Sequence, residues 1–533
     1  MTSDLLNRAF ALHQKGSVDE AAVLYKQVIA TDPHHPDALH MLGIIAHQKG
    51  NEELALGLVE AALGANPNMA MAWHNRCLIL RILGRRDDAL YSAEQAVAID
   101  PVFAEAWDMA GFLWREKKEL ERSRLCHERA VALRPDDLKF LGNYALLLYA
   151  LGDLQKSHAV MRRIESEAPD MMLQTLGNIL KSAGYPEEAL RYFERTCARS
   201  PHNHELWSMA AMAHLQIGDF AEGWCKWEKR GDMDQRFQHV PLWQGQPVGH
   251  LLLHEDQGMG DALQFLRYIP LLRLKAKTIT LQVTPPLVRL LRHNLPDIHI
   301  LSLDEPVPQA DARLRLMSLP PLFGGTLDDI PVFKPYLSAD EAWVKPWEQH
   351  LQGVAEPRIG FVWAGNPDHL NDRNRSVPFA ELVPLLRVGA GYGVSLQKGR
   401  AKADISASSY PLLDVDAYLG DYADTAGLMT KLDLLVTVDT SVAHLAGAMG
   451  RPVWLLLPFD PDWRWMLGRA DTPWYPTMRL FRQMRPGDWS VPIDYAVKEL
   501  SRLLLGDTSV LKPHQWHGGI LRQHPQAVVF EVD

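Results

Sequence analysis

Residues 67–101 read PNMAMAWHNRCLILRILGRRDDALYSAEQAVAIDP, a segment that runs from proline to proline. Inside it a tryptophan, a glycine and an alanine five residues after that glycine fall at places that recur along the first half of the chain. Prolines stand at Pro33, Pro67, Pro101, Pro135, Pro169 and Pro201, with spacings of 34, 34, 34, 34 and 32. A turn residue recurs in phase at Gly16, Gly50, Gly84, Lys118, Gly152, Gly184 and Gly218. Five residues after each comes Ala21, Ala55, Ala89, Ser123, Ser157, Ala189 or Gly223. This period predicts two helices per unit. The small residue lets the second helix lie close to the first, glycine supports the turn, and proline stops the second helix. Leu39, Trp73, Trp107 and Trp207 recur near the start of first helices, where they are expected to fill the space between units.

The chain has 533 residues, enough for about three domains. Apolar residues make up 47% and charged residues 23%, an ordinary balance for a globular protein and not for a disordered or fibrous one. With 55 Lys and Arg against 65 Asp and Glu, the formal net charge is −10. An acidic chain without a basic block argues against nucleic acid or an anionic membrane as main partner. Cys77, Cys126, Cys197 and Cys225 form no Cys-x-x-Cys pair, so buried thiols in a reducing compartment are expected. The start, MTSDLLNRAFALHQKG, has no apolar core of signal-peptide length, and no apolar run reaches the ~18 residues of a membrane span. The expectation is a cytoplasmic, soluble protein.

The repeat array resembles the tetratricopeptide repeat, with about six units over residues 1–230. Such arrays curve into a superhelix whose concave face often holds an extended peptide or a partner protein. A scaffold that only dimerises the chain or supports its neighbour is the alternative. Helix AEGWCKWEKR (residues 221–230) closes the array, with Trp224 and Trp227 expected to pack on the last unit or the next domain. Residues 231–249, rich in Gly, Pro and Gln, read as a linker.

From His250 short apolar strands alternate with helices, which predicts parallel sheets. LLLHE, TITLQV and IHILSL are strands of a first unit (250–345), which fades around SLPPLFGGTLDDIP. RIGFVWAG, GYGVSLQ, LLVTVDT, PVWLLLP and RLFRQ are strands of a second (346–506), followed by a tail (507–533) to which the sequence assigns no role. Two Rossmann-like units in tandem place their strand ends across a cleft, where α/β sheets bind ligands.

The strand-to-helix loops carry the chemistry. Gly258-Met259-Gly260-Asp261 allows close backbone approach, but a dinucleotide fingerprint fits poorly, because Leu263 stands at the third glycine position. Asp261 reads equally as a charge satisfying helix N–H groups or as a general base for an acceptor hydroxyl. At the second junction, Asp439, Thr440, Ser441 and Val442 form a natural phosphate and sugar seat, with His444 one turn on, by default a packed histidine. Asn366, Arg373 and Arg375 lie in the polar loop WAGNPDHLNDRNRSVP (363–378), which reads either as phosphate-binding or as a solvated loop; Gln397 and Lys398 end another strand. Trp463 and Trp465 in FDPDWRW could stack on a sugar or base, or be core. No metal or other cofactor is expected: Asp414-Val-Asp416 and Asp460-Pro-Asp462 read as structural, and Asp232-Met-Asp234 lies in the linker. A leaving diphosphate would be met by cations and helix dipoles.

In LLLHEDQGMGD, VTVDTSVAHLAGAMGRP and LLLPFDP the second half resembles the heptosyltransferase-like glycosyltransferases of GT-B fold. The whole layout, an all-α repeat superhelix followed by a GT-B pair of Rossmann-like domains, is similar to bacterial tetratricopeptide-repeat glycosyltransferases and, in plan, to O-linked N-acetylglucosamine transferases. The resemblance makes Asp261 the catalytic base. It places the donor phosphate on Asp439, Thr440, Ser441 and Val442, and it puts Arg375, three residues before Pro378, at a family phosphate contact that is usually Lys. It implies an inverting, metal-independent transfer from a nucleotide-sugar to Ser or Thr of a protein acceptor held by the repeats. Flagellin is one candidate acceptor, and the donor would then be a CMP-linked sugar. A lipopolysaccharide or surface-polysaccharide transferase and a non-catalytic repeat adaptor are the alternatives.

Overall fold

The computed structural model describes residues 2–513 except 152, 166, 232–234, 370, 408, 409 and 411. Gly152, the Asp232-Met-Asp234 string and tail residues 514–533 therefore lie outside the described residues. The chain divides into two compact units, Met1–Leu176 and Gly177–Asp533.

Helices come in seven consecutive pairs among the described residues: α1 Thr2–Gln14 and α2 Val18–Thr31, α3 Pro36–Gln48 and α4 Glu52–Ala65, α5 Ala70–Ile82 and α6 Arg86–Ile99, α7 Ala104–Glu116 and α8 Leu120–Leu133, α9 Leu138–Ala150 and α10 Leu154–Ile164, α11 Asp170–Ser182 and α12 Pro186–Arg199, α13 His204–Ile217 and α14 Phe220–Trp227. The prolines mark six units; the seventh pair is not closed by one, because α14 stops after 8 residues. The in-phase small residues Ala21, Ala55, Ala89, Ser123, Ser157 and Ala189 are fully buried. Where serine replaces alanine its hydroxyl is satisfied. Ser123 Oγ donates to the Gly111 carbonyl at 2.7 Å and Ser157 Oγ to the Ala145 carbonyl at 2.9 Å. An unpaired hydroxyl there would cost about 1–3 kcal/mol. Trp73, Trp107 and Trp207 do more than fill space. Each indole N–H donates to the carbonyl of the proline six residues earlier, at 2.8, 3.0 and 2.9 Å, tying one unit's end to the next unit's start.

The second unit carries two parallel sheets. In the first, β1 (Val248–His254), β2 (Ala276–Val283), β3 (His299–Ser302) and β4 (Ala312–Arg315) lie in the order β3-β2-β1-β4. In the second, β5 (Ile359–Val362), β6 (Gly393–Ser395), β7 (Leu413–Asp414), β8 (Leu434–Val438), β9 (Val453–Leu457) and β10 (Met478–Arg482) lie in the order β10-β9-β8-β5-β6-β7. Helix Glu341–His350 runs across the expected 345/346 border. Strand β4, ARLR, hides behind its arginines in the sequence, yet all four residues are buried. The segment before β1 covers it: the Trp243 N–H donates to the Arg313 carbonyl at 2.8 Å, and Arg313 Nε donates to the Val240 carbonyl at 3.0 Å.

The unit's core is aromatic where α14 meets the segments that follow β1 and β9. Trp224 lies 5.2 Å from Trp463 and 6.2 Å from Phe265, and Trp463 lies 5.9 Å from Trp474, ring centre to ring centre. All four side chains are almost wholly buried. Edge-on pairs of this kind contribute about 0.5–1.5 kcal/mol each beyond area burial. No helix among the described residues is long and apolar enough to cross a membrane.

Gly16, Gly50, Gly84, Gly184 and Gly218 hold φ between 73° and 89°, and Lys118 occupies the same turn position at φ 63°. A side chain there is strained by about 1–2 kcal/mol. Lys118→Gly is therefore expected to stabilise its repeat by about 0.5–1 kcal/mol, read as slower hydrogen exchange in α7 and α8.

Candidate functional site

Strand order decides where a site forms. In the first sheet the chain leaves β1 towards β2 and β3, then returns on the other side to β4; in the second it leaves β5 towards β6 and β7, then returns to β8. Each reversal opens a crevice beyond the strands' carboxyl ends. The DQGMGD loop leaves the end of β1, and the VDTS segment leaves the end of β8.

Helix α15 (Met259–Phe265) begins after Gly258, which is extended at φ −88° and ψ 171°. Asp261 caps it: its Oδ2 accepts from the Gly258 N–H at 2.8 Å. The same carboxylate forms an ion pair with Arg464 through Oδ1. Arg464 is buried. Its Nε donates to Gln264 Oε1 at 2.6 Å, its Nη1 donates to Asp462 Oδ1 at 2.7 Å, and its face lies over Trp463 at 4.4 Å. Burial lowers the Arg464 guanidinium to about 9, which leaves it charged at neutral pH. Upstream in the loop, Asp256 is held by Arg230 at 2.8 Å.

At the second crevice, helix Ser441–Ala448 starts at Thr440, whose side chain makes no capping bond to it. The Thr440 hydroxyl pairs with that of Thr437 at 3.3 Å, the Ser441 hydroxyl pairs with Tyr422, and Val442 packs on the core. Burial pushes the Asp439 carboxyl up, with Trp465, Arg375 and His369 pulling it the other way. Burial and the Asp439 charge raise Asp462 to about 7. Arg375 donates from Nε to Asp372 Oδ1 at 3.1 Å.

The two helix starts touch. A Cβ on Gly260 would lie 2.8 Å from His444 Cδ2 and 3.5 Å from Ser441 Cα. Arg464 pairs with Asp261 and Asp462, and Asp462 feels the charges of Asp439 and Arg375, so these five form one charged neighbourhood. Some expected donor contacts stand elsewhere. His444 is buried; its Nδ1 pairs with the Tyr475 hydroxyl at 2.9 Å, and burial with the Arg267 charge drives it down to about 3, so it is a neutral packing group. Gln397 is turned inward. Its Oε1 accepts from the Trp363 and Ala364 N–H groups at 3.0 and 2.9 Å, while its Nε2 donates to the Ala364 and Lys398 carbonyls. Lys398 reaches the Leu419 carbonyl, and Asn366 and Arg373 are exposed, Asn366 closing a local turn on the Asp368 N–H at 3.1 Å. In FDPDWRW both tryptophans are core, and Arg464 between them joins Asp462 to Asp261. An arginine enclosed by tryptophans just after LLLPFDP was the available signal.

The same loop is anchored to the last repeats. Asp460 accepts from Lys181 Nζ at 2.9 Å and from Gln216 Nε2 at 2.7 Å, and Gln216 Nε2 also donates to the Pro461 carbonyl at 2.7 Å.

Family models described as tetratricopeptide repeat match residues 12–74 and 175–231. The repeats are tetratricopeptide repeats. Over 446 residues the chain is 24% identical to Protein FlbA of Caulobacter vibrioides, covering 70% of this chain and 74% of that protein. Among solved structures it is similar to a tetratricopeptide repeat protein from Parabacteroides merdae (17% identity, 44% of this chain and 94% of that one, TM-score 0.36). It is also similar to pilF of Pseudomonas aeruginosa (16% identity, 38% and 92%, TM-score 0.34).

Gly260→Ala is expected to cost about 1–3 kcal/mol, because its Cβ must displace His444, whereas Gly258→Ala, with only Asp261 Oδ2 at 3.4 Å, should melt near the wild type. Asp462 binds its proton more tightly folded than unfolded, so its stabilising effect is complete at acid pH and is lost as pH rises through about 7. Asp462→Asn should therefore gain melting temperature relative to the wild type as pH rises from about 5 to 8.

Proposed function

We propose that the chain is an inverting glycosyltransferase that moves a sugar from a nucleotide-sugar to Ser or Thr of a protein acceptor selected by the tetratricopeptide repeats. The observation that carries this reading is the meeting of the two helix starts, where Gly260, next to Asp261, lies against Ser441 and His444. In the proposed step Asp261 takes the acceptor hydroxyl proton as the oxygen attacks the anomeric carbon, and the bond to the nucleotide phosphate breaks in line. Arg464 and the Gly258 N–H orient Asp261 while occupying only some of its four or so lone-pair positions. Arg375 and the first turn after Thr440 would receive the negative charge of the leaving phosphate. Flagellin fits as acceptor if the donor is a CMP-sugar.

The Asp261–Arg464 ion pair also favours a second reading, a binding module, because a carboxylate already neutralised is a weaker base. Thermal shift against UDP-, ADP-, GDP- and CMP-sugars tests both. A donor at about 100 times its Kd should add about 2.7 kcal/mol, and a folded sample that shifts with none leaves the binding module. With the donor found, Asp261→Asn is expected to lower transfer of labelled sugar to protein by about 10²–10⁴-fold while retaining the donor-induced shift, and Arg375→Ala to weaken that shift.

A further inference from the structure

Two arginines in the first unit share one aromatic ring and, among the described residues, hold no acceptor. Arg81, near the end of α5, stands 5.6 Å over Phe112 of α7, and Arg115, one turn after Phe112, stands 5.4 Å over the same ring. They are 34 residues apart, so they occupy the same position in successive repeats. Stacking uses the face of a guanidinium and leaves its in-plane N–H fork free, and that fork matches a carboxylate. Other arginines of the unit spend their forks inside the protein: Arg76 on Glu60 at 2.8 Å, Arg85 on Asp88 at 2.7 Å and Arg134 on Glu105. Arg81 and Arg115 make no hydrogen bond or ion pair of that kind among the described residues.

The nearest acids are already engaged. Asp108 accepts from Asn143 at 2.9 and 3.0 Å, meets His127 Nδ1 at 3.1 Å and lies 3.5 Å from Lys139; Glu116 is 3.7 Å from Arg86. Arg115 is nonetheless partly buried, and desolvation outweighs the pull of both acids, lowering its affinity for the proton. A half-desolvated cation without a paired anion is costly alone and gains most from an anion brought by a ligand. On α5 with Arg81, Leu78 is half-buried and Ile82 exposed, which offers apolar contact to an extended segment.

We propose that Arg81 and Arg115, both packed against Phe112, bind the carboxylates of an acidic peptide segment laid across α5 and α7. This names the peptide chemistry that the repeats select in the reading above, and it can be tested with no sugar donor present, so its failure is separate from failure of the transferase reading. The experiment is fluorescence anisotropy of the full chain with a labelled Glu-Ala repeat peptide and its Gln-Ala counterpart. The acidic peptide should bind at least about tenfold more tightly than the Gln peptide. Arg81→Gln and Arg115→Gln should each weaken it roughly tenfold, whereas Arg85→Gln, whose arginine already holds Asp88, should not. Arg81 is exposed, so its variant reports even if Arg115→Gln lowers the melting temperature. Equal binding of the two peptides, undiminished binding to Arg81→Gln, or preference for phosphatidylserine vesicles over the acidic peptide would each overturn the proposal.

Discussion

A buried guanidinium organises the second unit. Arg464 sits among tryptophans with its donors divided between Asp261, Gln264 and Asp462. A charge at that depth is tolerated only when its donors are matched, and removing one partner from such a group typically costs about 3–5 kcal/mol. The matching fixes the angle of α15, the conformation of the 459–465 loop and the orientation of Asp261 together. The aromatic cluster of Trp224, Trp463, Trp474 and Phe265 excludes water around it and so strengthens each of these bonds.

That loop has two ends with different attachments. Asp460 is held by Lys181 and Gln216 from α11 and α13, while Arg464, four residues later, holds Asp261. The last repeats and the glycine loop therefore bear on one short segment, and a shift of α13 must be absorbed by the loop or passed to the carboxylate. Trp463 and Trp465 of that loop are buried, which leaves it little room to absorb such a shift.

The legible parts of this chain were those with a period. Helix pairs, their turns and the small buried positions follow from proline, glycine and alanine spacing, and the long β1, β2, β8 and β9 strands follow from apolar runs. Strand β4 did not show, because Arg313 and Arg315 look like surface residues until residues 240–243 and Gly231 provide acceptors for them. Gln397 looked like a ligand-facing polar residue at a strand end, but its amide is consumed by the backbone that leaves β5. His444, by default a packed histidine in the sequence, is neutral packing over Gly260.

By itself the sequence determined the repeat array, the two α/β halves and the glycine-bearing loops that start their helices, because these depend on residues close in the chain. Only the tertiary structure decided which charges meet. Asp261 and Arg464 are 203 residues apart, and Gln216 and Asp460 are 244 apart. No local pattern encodes such pairs. They form because tertiary packing brings these segments together, where burial favours pairing of opposite charges and of donors with acceptors.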